Sequence, residues 1–255
     1  METQSEIKQS FKLLLLASAL TLVLSFIPFA GVITYPIRLF VTFIHEAGHA
    51  LAALATFGGV KRISLEWSGS GLTFTQGGWG VMISSAGYLT TTLYGAALLL
   101  LLRRERNARI VATATGGLLL LLTVLFGGNI VAWLAGLGFG AGCLWLGIKA
   151  KPTVAHFVMS FLGLQCLLNA FYDLTALMYL SALDPGFHTD ARNMAQATGL
   201  PAIVWAVGWA VMSLTVVVAT LVVYYRSLRA RAPLSTTPPA AALGDKSVQA
   251  AGHNL

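Results

Sequence analysis

Seven apolar runs, at about 12–33, 36–57, 79–102, 108–127, 129–148, 154–181 and 200–225, are each long enough to cross a hydrocarbon core of about 30 Å as a helix. Inside lipid every backbone N–H and C=O must be bonded within its own segment or a closed barrel, so runs of this length are expected to be helices. Composition leaves no water-soluble alternative. Of 255 residues, 56% are hydrophobic and 10% charged, and the mean hydropathy of +0.77 leaves too little polar surface to cover a globule. The expected fold class is an all-α polytopic membrane protein with six or seven transmembrane helices. The first run exceeds the apolar core of a signal peptide and lacks a convincing small-x-small cleavage site, so it reads as a retained anchor.

The net charge of +7 is carried in short clusters beside apolar runs: RRERNAR at 103–109, KAK at 149–151 and RSLRAR at 226–231. That pattern suits lipid headgroups and topology, and it argues against nucleic acid as a partner. In a seven-span arrangement the three clusters share one side, which the positive-inside rule makes cytoplasmic, and Lys8 and Lys12 lie outside. A six-crossing arrangement, in which one of the first two runs does not cross fully, puts both termini inside. Cys143 and Cys166 fall within runs and have no paired spacing, so they read as packing residues. From Ala232 onward periodicity stops and Pro, Ala, Ser and Thr dominate, so residues 1–231 form the membrane domain and 232–255 a disordered tail.

Of the nine carboxylates, Glu46 and Asp173 lie well inside apolar runs. A charge at that depth costs about 2.5 kcal/mol or more without a partner, which makes both functional candidates. Glu46 belongs to His45-Glu46-Ala47-Gly48-His49, an HExxH motif. On a helix, positions i and i+4 share a face, so His45 and His49 can hold one Zn²⁺ while Glu46 stands as general base. With five His and five Glu in the chain, chance predicts about 0.002 such matches. A catalytic zinc takes three protein ligands. Gln165, Asn169 and Asp173 recur every four residues on one face of an apolar helix, which makes Asp173 the leading third ligand. Asp190 is its rival if the loop that holds it folds back; Thr189 or Asp190 as N-cap, with Gly199 and Pro201 as a stop, equally describes a short surface helix.

Between the second and third runs, Ile63, Leu65 and Trp67 alternate with Arg62, Ser64 and Glu66. Ser68-Gly69-Ser70-Gly71 then supplies a turn before Leu72-Thr73-Phe74-Thr75, which reads as a β-hairpin. Either strand could offer a free edge to an extended segment. In that case a proline at Ser64 or Thr73 should hurt more than Thr73→Val, which is expected to do little. An ordinary connecting hairpin is the plainer alternative.

The HEAGHA motif on an early run, the SSAGYLTTTLYG segment at 84–95 and a late run bearing Asn and Asp resemble the site-2 protease family of intramembrane zinc metalloproteases, most closely its compact, PDZ-less bacterial and plant branch. The resemblance covers most of residues 36–225. It implies Zn²⁺ as cofactor, Glu46 as catalytic base and His45, His49 and Asp173 as metal ligands. It also implies Asn169 as a contact to the substrate strand, and a β element that receives substrate. The implied partners are the lipid bilayer and transmembrane protein substrates, in a multi-pass protein of a bacterial cell membrane. The rival reading is a non-proteolytic zinc-binding sensor, chaperone or transporter of the same architecture, for which an unligated Glu46 has no use.

Overall fold

The computed structural model describes residues 30–183 and 189–229, with isolated helical positions between 12 and 23. For some positions within those ranges, Asp173 among them, it describes the backbone alone. The tail from Ala232 and most of the first apolar run lie outside the described residues.

The chain runs α1 (Ala30–Ala55), β1 (Gly59–Leu65), β2 (Gly71–Gln76), α2 (Gly80–Leu101), α3 (Ala108–Phe126), α4 (Ile130–Ile148), α5 (Pro152–Leu183), α6 (Asp190–Thr198) and α7 (Ala202–Arg229). Among the described residues six helical stretches are long and apolar enough to cross a membrane, namely Thr34–Ala55, Gly80–Leu101, Glu105–Phe126, Ile130–Ile148, Pro152–Asn169 and Ala202–Arg226. Because these spans alternate in direction, the basic clusters after α2, after α4 and at the end of α7 fall at one end of the bundle. The α1–β1 and β2–α2 junctions fall at the other. Helices in lipid gain little from hiding apolar surface from one another, so close approach must come from small residues. Accordingly, a Cβ on Gly95 would lie 2.8 Å from Gly163 O, and one on Gly116 would lie 2.6 Å from Gly140 O, where α2 meets α5 and α3 meets α4.

A left-handed residue, Phe57 (φ 61°), stops α1, and the Gly58 N–H returns to Ala53 O at 2.8 Å, a closing bond that turns the chain sharply. The hairpin then retraces α1 toward its N-terminus. Thr73 Oγ1 reaches Glu46, Thr42 Oγ1 donates to Gly69 O at 2.8 Å, and Tyr35 Oη donates to Trp67 O at 3.0 Å. It therefore lies at the depth of a membrane span. β1 and β2 pair antiparallel, Ile63 opposite Thr73 and Leu65 opposite Gly71, with a bulge between Val60 and Arg62. The extra residue, Lys61, shifts the alternation by one place, so Val60, Ile63 and Leu65 all face the core, where Ile63 and Leu65 are fully buried.

The outer edge of β1 is occupied. Gly128 N–H donates to Ile63 O at 2.8 Å, while Asn129 accepts from Leu65 N–H at 3.2 Å and donates to Leu65 O at 2.8 Å. The Asn129 amide thus stands where a third strand's peptide group would be, while the same side chain caps α4 by accepting from Ala132 N–H at 3.0 Å. Among the described residues no further strand pairs with β2, so the open edge of the sheet is on that strand.

Candidate metal centre

On α1, His45 and His49 lie one turn apart and face α2, as the helical spacing requires. Two glycines bring the helices together there. A Cβ on Gly48 would lie 2.7 Å from Ala86 O, and a Cβ on Gly87 would strike Nε2 of both His45 and His49, the latter at 2.6 Å. Gly87→Ala is accordingly expected to displace both imidazoles and sharply lower zinc content measured by atomic absorption. Gly80→Ala, on the same helix with nothing within 4 Å of its added methyl, should leave zinc content at the wild-type level.

His49 Nδ1 donates to Ile83 O at 2.7 Å, which assigns the proton to Nδ1 and leaves the Nε2 lone pair for a metal. His45 packs edge-on against the Tyr88 ring at 4.7 Å, and Tyr88 stacks on Trp209 of α7 at 5.4 Å, so aromatic side chains from two helices fix the second imidazole.

Asp190 completes the cluster. Its Oδ2 lies 3.2 Å from His45 Nε2 and 3.3 Å from His49 Nε2, and the two Nε2 atoms are 3.1 Å apart. Tetrahedral zinc at about 2.0–2.1 Å from its donors requires them to be roughly 3.3 Å from one another, so this near-equilateral triangle has the dimensions of a zinc site. The chemistry fits as well: two imidazole nitrogens and a carboxylate oxygen converging on one point need positive charge among them, as ring protons or as a metal cation. Burial pushes the Asp190 carboxyl upward, but positive charge and hydrogen bonds from the adjoining His49 and His45 rings outweigh it and hold the group below the usual carboxylate range. The side chains of His45, His49 and Asp190 keep 15%, 8% and 18% of their surface, so the cluster is enclosed but reachable.

Asp190 lies both in the short helix that its flanking residues describe and beside the two histidines. Thr189 caps α6 by accepting from Arg192 N–H at 3.2 Å, and Gly199 (φ 77°) ends it. Ala191 and Met194 bury one face of α6 against Leu174, Leu177, Ala206 and Trp209, which carries Asp190 to the histidines. Asp173, the leading candidate from sequence, sits on α5 with its side chain outside the described residues. Asn169 donates from Nδ2 to Gln165 O at 3.0 Å, one turn back on its own helix.

Glu46 is 4% exposed and lies against β2. Thr73 Oγ1 donates to its Oε2 at 2.6 Å, and a Cβ on Gly71 would lie 2.7 Å from Glu46 Cγ and Oε1. Nothing in the sequence marks Tyr88 or Trp209 as site residues, and Thr73 is marked only through its backbone, as part of a strand edge. The hydroxyl of Thr73 has a partner that strand alternation does not reveal, which removes the ground for expecting Thr73→Val to do little.

No curated protein and no solved structure matches the chain. A family model described as Peptidase M50B-like matches residues 14–220, which takes in α1 with its HExxH motif, the hairpin, α2, Asp190 and most of α7. Spanning helices, a three-donor metal cluster and a match over most of the chain agree with one another, and the protein belongs to the Peptidase M50B-like family, a site-2 protease family of membrane metalloproteases.

Proposed function

We propose that the chain is an intramembrane zinc metalloprotease that cuts a peptide bond within or beside a transmembrane segment of a membrane-protein substrate, the reaction of regulated intramembrane proteolysis. The observation that carries this reading is the convergence of His45, His49 and Asp190 on one point, with the buried Glu46 carboxylate one residue away. His45, His49 and Asp190 would hold the ion. Zinc in such a site polarises a scissile carbonyl and acidifies water. Glu46, which is adjacent to the ligands but not one of them, takes the proton from the attacking water and delivers it to the leaving amine. The His49–Ile83 hydrogen bond and the Tyr88–Trp209 stack keep the imidazoles oriented throughout.

The substrate must reach this point with its carbonyl exposed, which a helix does not allow. The open edge of β2 supplies an alternative partner. At span depth an unbonded backbone N–H or C=O costs several kcal/mol, so an extended substrate segment added beside β2 satisfies edge groups on both chains. It would pass Glu46 at Thr73. The edge of β1 is closed by Gly128 and Asn129, so this role falls to β2 alone. A non-proteolytic zinc-binding protein would use the same three ligands, but it gives no reason for a glutamate held by the strand beside them.

Removing the metal tests the reading. Protein purified in detergent, reconstituted with single-span membrane proteins and treated with 1,10-phenanthroline, is expected to lose cleavage, and stoichiometric Zn²⁺ should restore it. Cleavage that survives complete zinc removal, verified by atomic absorption, would overturn the proposal.

A further inference from the structure

Glu46 needs more than proximity to the ligands. A glutamate side chain has three rotatable bonds, and a general base works only from a narrow range of positions. Something must hold it. Among the described residues, Thr73 supplies the hydrogen bond that the Glu46 carboxylate accepts, 2.6 Å from Oγ1 to Oε2. The same hydroxyl lies 3.1 Å from the Glu46 main-chain oxygen, so it is seated against the helix as well as against the carboxylate. Gly71, two residues back on the same face of β2, leaves room for Glu46 Cγ and Oε1, which a side chain there would displace. The strand is not free to drift, since β1 holds it by the ladder and is itself pinned by Gly128 and Asn129.

From this geometry we infer that Thr73 is a positioning residue for the general base: its hydroxyl holds one carboxylate oxygen of Glu46 against β2, leaving the second oxygen to take the proton of the attacking water. The inference rests on the protease reading and deepens it. A hydrogen bond to an ionised carboxylate is of the strong class, so its loss is felt even though no ligand is removed.

The probe is acetohydroxamate, which combines metal chelation with an N–H and O–H that a correctly placed glutamate accepts. Its affinity is measured on zinc-loaded, detergent-purified protein, with zinc content determined for every variant. Thr73→Val is expected to keep full zinc and weaken the hydroxamate about tenfold. Thr73→Ser, which restores the hydroxyl, should return affinity to within about twofold of wild type. In a Glu46→Gln background, Thr73→Val should add nothing further, since the basic carboxylate that the hydroxyl orients is already gone. A role in hairpin folding alone would lower zinc content, resist rescue by serine, or add to the Glu46→Gln effect, and any of these overturns the inference, as does a Thr73→Val protein that binds like wild type. If the wild-type protein takes up no zinc, or binds zinc but no hydroxamate, the metalloprotease reading fails and the role of Thr73 falls with it. The other negative outcomes leave that reading standing.

Discussion

Glu46→Gln is expected to retain its zinc and to lose cleavage of a membrane substrate by about 10²–10⁴-fold, the range that general-base catalysis contributes. The reasoning is geometric. The three donor atoms that converge come from His45, His49 and Asp190, so the change leaves the metal cluster intact. Glutamine still accepts from Thr73 through its amide oxygen, so the packing beneath β2 persists. What disappears is a basic oxygen able to accept the water's proton. The measurement pairs a zinc determination with cleavage of a co-expressed single-span protein followed by gel mobility. Full cleavage by this variant would rule out the protease mechanism; loss of zinc together with cleavage would show that Glu46 supports the ligands instead.

The second large effect separates two aspartates. Asp190→Ala is expected to abolish stoichiometric zinc binding, because two imidazoles alone are one ligand short of a zinc site and the incomplete shell releases the ion to competing chelators. The loss of affinity should be at least 100-fold, above the range that supporting groups outside the coordination shell contribute. Asp173→Ala should leave zinc near the wild-type level. Asp190→Asn gives a finer reading, since an amide keeps the shape and loses the charge that balances the cation. Competition with a chromogenic zinc chelator checks all three variants. The reverse ranking would move the third ligand onto α5 and leave Asp190 as a partner of the unloaded histidines.

Much of the architecture is legible in order because it is local. Span length follows from rise per residue against bilayer thickness. The hairpin follows from alternation around a Ser-Gly-Ser-Gly turn, and the pairing of His45 with His49 follows from helical period alone. Among the described residues the spans number six, within the six or seven expected. Hydropathy favours Asp173, whose side chain lies outside the described residues, because depth in an apolar run is the one measure of burial that a sequence offers. Asp190, in a polar stretch, looked solvated. Its carboxylate is carried in by α6, which buries only Ala191 and Met194 of its nine residues and is too short to register as a membrane element.

A contact between residues 145 positions apart, such as His45 with Asp190, is written in no local pattern. It exists because α6 docks on α2 and α7. The same holds for Thr73, an unremarkable strand threonine until the hairpin folds back along α1 and sets its hydroxyl on Glu46. Which strand keeps an open edge likewise depends on the α3–α4 connection, which closes β1 through Asn129. The spans, the hairpin and the helical face that carries both histidines are readable in the sequence, since each depends on residues within a turn or two of one another. The meeting of Asp190 with the histidines, the meeting of Thr73 with Glu46 and the free strand edge come from tertiary packing, because each joins elements that lie far apart in the chain and are brought together only when their buried faces fit.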